Sequence, residues 1–241
     1  MKITAFNGSP RGKNGNTHVM VEEFLKGAND AGADVENVFL AEKEIKPCKG
    51  CFGCWVKTPG KCVIKDDMEG SLSKFMSSDI VVFATPLYAD NVTGIMKNFI
   101  DRRIPILDPH LEKDEKGECR HPSRYEKSPK IVVISNCGFP EQNHFEVLKL
   151  LFRRIARNTH SEVIAEIYRG GGEILKEHPL IIKPFVWKYK KLLRKAGREI
   201  VETLKLTEET MSQLEKPIIS KEQYINGANN RWDGLLSIKK C

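Results

Sequence analysis

Two stretches of this 241-residue chain concentrate side chains able to do chemistry. Between Lys46 and Lys65 four cysteines stand as C-x2-C-x2-C-x7-C, at Cys48, Cys51, Cys54 and Cys62. Four thiolates so spaced can converge on one metal centre, and Gly50, Gly53 and Gly60 permit the tight wrapping this needs. Zinc usually draws its ligands from two separated pairs, so three cysteines at x2 intervals favour iron–sulfur over zinc. A bacterial ferredoxin run has a three-residue spacer before its last cysteine and a proline after it; here the spacer is seven residues and Val63 follows. The residues leave three readings open: an iron–sulfur cluster, reduced structural or redox-active thiols, and zinc.

The other stretch is the first eighteen residues, Met1 to His18. Ile3, Ala5 and Phe6 form a half-apolar run that reads as a strand. Asn7-Gly8 turns the chain, and Val19, Met20, Phe24, Leu25 and Ala28 follow in an amphipathic pattern. Strand, glycine-rich loop and helix together aim backbone N–H groups and a helix N-terminus at one spot, which makes an anion site. Ser9, Asn16 and Thr17 add neutral donors, and Arg11 or Lys13 adds charge. A nucleotide P-loop is excluded, because Gly12-Lys13 is followed by Asn14 rather than Ser or Thr. The dinucleotide fingerprint is excluded because Gly8, Gly12 and Gly15 are spaced four and three apart. A hydroxyl-rich loop suited to one terminal phosphate remains.

The elements that must position these stretches alternate in period. Asp34–Leu40 alternates as a strand, and Met68–Ser77 reads as a helix with Leu72, Phe75 and Met76 on one face. Ile80–Ala84 and Ile131–Ile134 are continuous apolar runs of the kind buried on both faces. Helices are expected over Thr93–Arg102 and His144–Arg157, and a fifth strand over Val163–Tyr168. Five strands interleaved with helices make an open parallel α/β sheet, whose ligands sit beyond the carboxyl ends of the strands at the topological switch point. The site should therefore come from Asn7–Thr17, Pro86–Thr93 and Ser135–His144. The second of these brings Tyr88 and Asn91; the third brings Cys137, Gly138 and Phe139. A phosphate cradle beside aromatics and free backbone amides suits a flat, polar-edged ring carrying a phosphate, and FMN is the natural candidate.

Gly8-Ser9-Pro10-Arg11 with Asn16-Thr17, then Thr85-Pro86-Leu87-Tyr88, and the helix Lys97-Asn98-Phe99-Ile100-Asp101-Arg102, resemble the flavodoxin-like NAD(P)H-dependent FMN reductase superfamily over about residues 1–170. The resemblance implies a three-layer α/β sandwich with strand order 2-1-3-4-5 and helices on both faces. It implies FMN, its phosphate on Ser9, Arg11, Asn16 and Thr17. Its isoalloxazine would lie against Pro86, Leu87, Tyr88, Ala89, Asp90 and Asn91, and against Cys137 and Gly138. NAD(P)H is the implied co-substrate, a quinone, flavin or nitro- or azo-aromatic the implied acceptor, and a homodimer or homotetramer the implied assembly. No general base or nucleophile is assigned, since hydride transfer needs geometry and electrostatics from the protein. The cysteine stretch resembles the compact motif of iron–sulfur flavoproteins, a branch of the same superfamily. That likeness implies a [4Fe–4S] cluster on Cys48, Cys51, Cys54 and Cys62, with ferredoxin as a partner. The competing class is an electron-transfer carrier between ferredoxin and another protein.

The rest of the chain bounds these readings. Hydrophobic residues at 40% and charged residues at 29% are a soluble globular composition. No apolar run approaches the about 18 residues that span a bilayer, and no leader precedes the first strand. Seven cysteines in such a chain argue for thiols or metal ligands over disulfides, so a cytoplasmic protein without a membrane role is expected. The net charge of +7 attracts anionic cofactors. Its densest patch, Lys183 to Arg198, lacks helix-turn-helix or zinc-finger spacing, so no nucleic acid is expected as partner. Asp66, Asp67 and Glu69 read as helix caps. Residues 104–129 form a charged excursion that would sit beside the flavin edge as a lid, a subunit contact or a solvated loop. The FMN-binding domain is expected over 1–205 and a C-terminal extension over 206–241. The domain ends in an amphipathic helix, Phe185–Leu204, with Val186, Tyr189, Leu193, Ala196 and Ile200 buried. Thr207 caps a short helix in the extension. From Tyr224 to Trp232 the extension lacks periodicity, and its aromatics suggest docking, as across an oligomer interface.

Overall fold

A computed structural model describes residues 1–238; the last three residues of the expected extension, 239–241, lie outside the described residues. The chain runs β1 (Lys2–Asn7), α1 (Asn16–Asp30), β2 (Asp34–Phe39), the single turn α2 (Gly53–Val56), α3 (Met68–Met76), β3 (Ile80–Pro86) and α4 (Gly94–Asp101). It continues through the short strands β4 (Glu112–Lys113) and β5 (Cys119–Arg120), then β6 (Lys130–Asn136), α5 (Glu146–Asn158), β7 (Val163–Arg169), α6 (Lys183–Thr203), α7 (Glu208–Glu215) and α8 (Lys221–Ile238). The five long strands pair in parallel in the order β2-β1-β3-β6-β7, the expected 2-1-3-4-5 counted over the long strands alone.

Alternation along the strands divides the core into two layers. Ile3, Ala5, Val82 and Val132 face Met20, Phe24, Leu193 and Ile200 of α1 and α6. Phe6, Val81, Phe83 and Val133 face Phe75, Met96, Phe99 and Phe152 of α3, α4 and α5. β3 is buried along its whole length, as its unbroken apolar run requires. α1 and α6 touch through glycines. A Cβ on Gly27 would stand 1.9 Å from the Arg194 carbonyl oxygen, and one on Gly197 would stand 1.9 Å from that of Phe24. The five apolar residues expected on the inner face of α6 are all buried. Part of its basic face is matched by acids: Arg194 pairs with Glu23, Lys195 with Glu209 at 3.2 Å and Arg198 with Asp30 at 3.9 Å.

The C-terminal extension is tied down by polar contacts. The Thr207 side chain caps α7 by accepting from the Thr210 N–H at 3.2 Å. Glu199 accepts from the Thr207 N–H at 3.0 Å and the Thr210 hydroxyl at 2.7 Å. The buried Arg169 guanidinium donates to the Lys216 carbonyl at 2.8 Å and to that of Leu214, and lies 4.0 Å over the Tyr189 ring. Residues 224–232, expected as a tail without periodicity, are instead helical within α8. The signal is a capping box: the Ser220 hydroxyl accepts from the Gln223 N–H at 3.2 Å, and Gln223 Oε1 accepts from the Ser220 N–H at 3.1 Å. Apolar periodicity missed it because α8 buries no continuous stripe; Trp232, Leu235 and Leu236 stay exposed.

Candidate functional site

The phosphate-loop expectation rests on what ends β1 and begins α1. Asn7 folds its side chain back, accepting from the Ser9 N–H at 3.0 Å. The Ser9 hydroxyl accepts from the Arg11 N–H at 3.3 Å, and Ser9 and Thr17 are buried. α1 starts at Asn16 with Gly15 as its N-cap, and Gly15 has no side chain to close the helix end. The first-turn N–H groups therefore open into the loop, where an anion can take them. Space for that anion depends on Gly15, because a Cβ there would stand 2.4 Å from Ser9 Oγ.

The two other loops come from β3 and β6. Tyr88 and Asn91 exchange both backbone bonds, at 2.9 and 3.0 Å, around Ala89 and Asp90, whose φ angles are 45° and 56°. This is a tight turn of the primed kind, held by non-glycine residues at a local conformational cost. After β6, the Cys137 N–H donates to the Arg169 carbonyl, and the Gly171 and Gly172 N–H groups donate to the Phe139 and Cys137 carbonyls. The glycine run after β7 is thus the floor under the Cys137–Phe139 loop. A Cβ on Gly170 would meet the Pro140 carbonyl oxygen at 2.4 Å. Burial pushes the Cys137 thiol up to about 11, so at neutral pH it is a protonated donor to the Phe139 carbonyl rather than a nucleophile.

These loops meet in one cavity of about 90 Å³ beyond the carboxyl ends of β1, β3 and β6. Nine residues expected at the site line it: Ser9, Arg11, Asn16, Thr17, Pro86, Leu87, Tyr88, Cys137 and Gly138. Ala89, Asp90 and Asn91 do not line it; they form the turn that carries Tyr88. Phe139 also stands aside, stacked on His144 with ring centroids 4.4 Å apart. Gly15 and Asn136, which also line the cavity, lie within the expected loops without having been singled out, and Glu173 lies outside them. Asn136 donates to the Thr17 hydroxyl at 2.7 Å, locking the first loop to the third. Its position as the last residue of β6 was the available signal. The Glu173 carboxylate opposes an anionic ligand, and Arg231 at 3.4 Å partly offsets it. The open helix end, the space kept by Gly15 and the buried hydroxyls fit a phosphate; Glu173 marks the side from which it is excluded.

The cysteine loop is closed at its base by a buried ion pair. Arg102, 1% exposed, donates to the Lys46 carbonyl at 2.7 Å and to both oxygens of Asp66 at 2.7 and 3.0 Å. Asp66 also accepts from the Lys46 N–H at 2.9 Å and the Met68 N–H at 3.1 Å. Burial opposes its ionisation, but these bonds win and hold the carboxyl below its ordinary value. As expected of helix caps, Asp67 stands at the N-cap of α3, Glu69 in its first turn, and Asp66 takes the first-turn Met68 N–H. Asp66 and Asp67 also act as latches, Asp67 making no side-chain cap bond but accepting from the Glu44 N–H at 2.9 Å. Within the loop Cys48 and Cys51 are exposed, Cys62 is half-buried and Cys54 is buried. Burial, followed by the neighbouring Cys62, Cys48 and Cys51, raises the Cys54 thiol. The four share one loop, yet among the described residues no three Cys, His, Asp or Glu side chains are gathered as a metal site.

The excursion 104–129 packs on this loop. Trp55 donates to the Ile104 carbonyl at 3.3 Å, and its ring packs at a 51° tilt against that of His121, centroids 4.8 Å apart. The β4–β5 hairpin is pinned to the end of α5 by Arg157–Asp114 and Arg154–Glu118 pairs, both at 2.8 Å. No residue of the excursion lines the cradle itself.

Among known proteins, the sequence profile of NADPH-dependent FMN reductase matches residues 1–113. A Bacillus subtilis protein whose curated name is "Putative NAD(P)H-dependent FMN-containing oxidoreductase YwqN" is 31% identical over 183 residues, 74% of this chain and 91% of that protein. The chain belongs to the NADPH-dependent FMN reductase family. Within the wider similarity, an iron–sulfur flavoprotein of Archaeoglobus fulgidus is 43% identical over 142 residues, 59% of this chain and 58% of the relative. One from Methanocaldococcus jannaschii is 38% identical over 106 residues, 44% of this chain and 53% of the relative. The chain therefore spans little more than half the length of these relatives. The solved structure of an FMN-dependent NADH-azoreductase from Bacillus anthracis in complex with FMN superposes with a TM-score of 0.61 at 15% identity, covering 83% of this chain and 99% of that one. At that identity the likeness speaks to the fold, which this member of the FMN reductase family shares.

Proposed function

We propose that this chain is an FMN-dependent oxidoreductase that takes electrons from NAD(P)H and passes them to a small acceptor such as a quinone, a flavin or a nitro- or azo-aromatic. The observation that carries the reading is the meeting of three sequence-distant loops around the open N-terminus of α1. The chemistry FMN supplies when bound is a two-electron relay, from the hydride of NAD(P)H to an acceptor that takes up protons from water. The chain's own residues hold and orient. The Asn16 and Thr17 amides, with the Ser9 and Thr17 hydroxyls, would bind the phosphate, and Arg11 would add charge. Pro86, Leu87 and Tyr88 would flank the ring, carried by the Ala89–Asn91 turn, and the Cys137–Gly138 backbone would meet its polar edge. Cys137, neutral through burial, adds no competing charge.

The test is reconstitution with FMN followed by anaerobic NAD(P)H oxidation against these acceptors. Stoichiometric FMN and acceptor-dependent turnover are expected; no FMN binding at micromolar concentration would overturn the reading. A homodimer or homotetramer in the cytoplasm belongs to the same proposal. Free cysteines at six described positions suit a reducing compartment, and no described helix is long and apolar enough to cross a membrane.

A second reading, an iron–sulfur flavoprotein carrying electrons from ferredoxin, is favoured by the named relatives and by four cysteines on one loop. Holding a [4Fe–4S] cluster on Cys48, Cys51, Cys54 and Cys62 requires the thiols to draw together from the present arrangement. Iron and acid-labile sulfide near four per chain after anaerobic purification would support it; iron-free protein after attempted reconstitution would remove it.

A further inference from the structure

Beside the cradle lies a much larger groove, about 670 Å³, between residues 173–185 and α8. Its wall is mostly apolar, with Ile174, Ile182, Phe185, Ile218 and Ile219. The α8 side of the groove is a helical stripe, Tyr224, Gly227, Ala228 and Arg231. Two residues make it continuous with the cradle. Glu173 lines both spaces. Tyr224 lines the groove while its hydroxyl donates at 2.8 Å to the carbonyl of Gly138, a cradle residue. The groove rim carries Glu173 and Glu177 around a single Arg231, at 3.4 and 2.5 Å, so its formal charge disfavours anions. One polar atom, His178 Nδ1, is buried there without a partner among the described residues.

We propose that this groove binds the apolar chain of an electron acceptor whose redox ring reaches the cradle past Tyr224, as in an alkyl-substituted quinone. The inference rests on the reductase reading and narrows its acceptor class. The volume falls within the about 300–1,000 Å³ of small-molecule sites, and an apolar wall with few polar groups is their usual make-up. An uncharged chain gains from the isoleucine wall and does not meet the acidic rim with like charge. The groove is concave and formed between two segments of one chain, which suits a chain-like ligand better than the flat face of a second copy.

The experiment uses the full FMN-loaded chain with 1,4-benzoquinones bearing no substituent, a hexyl or a decyl chain. A redox-inert probe, 4-decylphenol below its micellar concentration, is titrated by calorimetry. KM should fall with chain length at nearly constant kcat, by about 60-fold for three buried methylenes at about 0.8 kcal/mol each. 4-Decylphenol should bind once per chain. Gly227→Leu places a side chain on the groove face, where nothing stands within 4 Å of its Cβ. It should abolish both effects while leaving FMN content and turnover of the unsubstituted quinone unchanged. Gly234→Leu, on the same helix outside the groove, should change neither. Equal KM across the series, or 4-decylphenol binding unaffected by Gly227→Leu, would overturn the proposal. So would a change of oligomeric mass in Gly227→Leu by light scattering, which would make the groove a contact between copies. Loss of all NAD(P)H oxidation with Gly227-sensitive 4-decylphenol binding intact would instead sink the reductase reading and leave the groove standing.

Discussion

Removing Arg102 should open the cysteine loop at a cost that the structure lets one calculate. The guanidinium makes three bonds, to the Lys46 carbonyl and both Asp66 oxygens, and is 1% exposed. Arg102→Met leaves the Asp66 carboxylate buried without its cation, and Asp66→Asn leaves the guanidinium buried without its anion. Each should cost about 3–5 kcal/mol, the usual penalty for half of a buried pair. The double variant removes both charges, so it should cost at least about 2 kcal/mol less than the sum of the singles. Urea unfolding gives the three values, and the reaction rate of the buried Cys54 with a thiol reagent reports the loop separately. The carboxyl of Asp66 is held below its ordinary value, so its stabilisation is complete above about pH 4 and lost as pH falls through the lower folded value. Asp66→Asn should therefore flatten the acid arm of the stability curve. Single costs below about 1 kcal/mol, or strict additivity, would refute the reasoning.

Three further outcomes are expected. Gly15→Ala, whose Cβ would stand 2.4 Å from Ser9 Oγ, should weaken FMN binding by about 10- to 100-fold through about 1–3 kcal/mol of overpacking, as read by fluorescence titration. Gly27→Ala would stabilise an isolated helix by about 1 kcal/mol; here it should lower Tm, because its Cβ meets the Arg194 backbone. Burial opposes ionisation of Glu199, but bonds from Thr207 and Thr210 lower its pKa. The stability it lends is present above about pH 4.3 and fades on acidification, so Glu199→Gln should lose that dependence in pH-resolved thermal melts.

The sheet was legible because its signals are local. Ile80–Ala84 and Ile131–Ile134 are short, β-branched apolar runs of strand length, and the apolar stripe of α6 named its own inner face. The phosphate loop was legible for the same reason, since strand, turn residues and helix onset are adjacent in sequence. The helical state of 221–238 was missed because α8 owes its start to a two-residue capping box and its place to the Tyr224 hydroxyl and the ion pairs of Lys221 and Arg231, none of which leaves a periodic trace. The roles of Asp66 and Asp67 as latches were likewise invisible, since their partners Arg102, Lys46 and Glu44 lie 20 or more residues away.

By itself the sequence determined the layer architecture, the strand order through the family resemblance, and most of the residues around the cradle. Only the tertiary structure decided that Gly170–Gly172 floors the Cys137 loop, that Asn136 ties it to Thr17, and that Glu173 limits the cradle. Only it carried the excursion to the cysteine loop and α8 to the cradle's edge. The physical reason is the range of the forces involved. Burial periodicity and turn chemistry act between near neighbours in the chain, whereas an ion pair, a hydrogen bond to a distant carbonyl or a shared cavity depends on which remote segments the fold brings into contact.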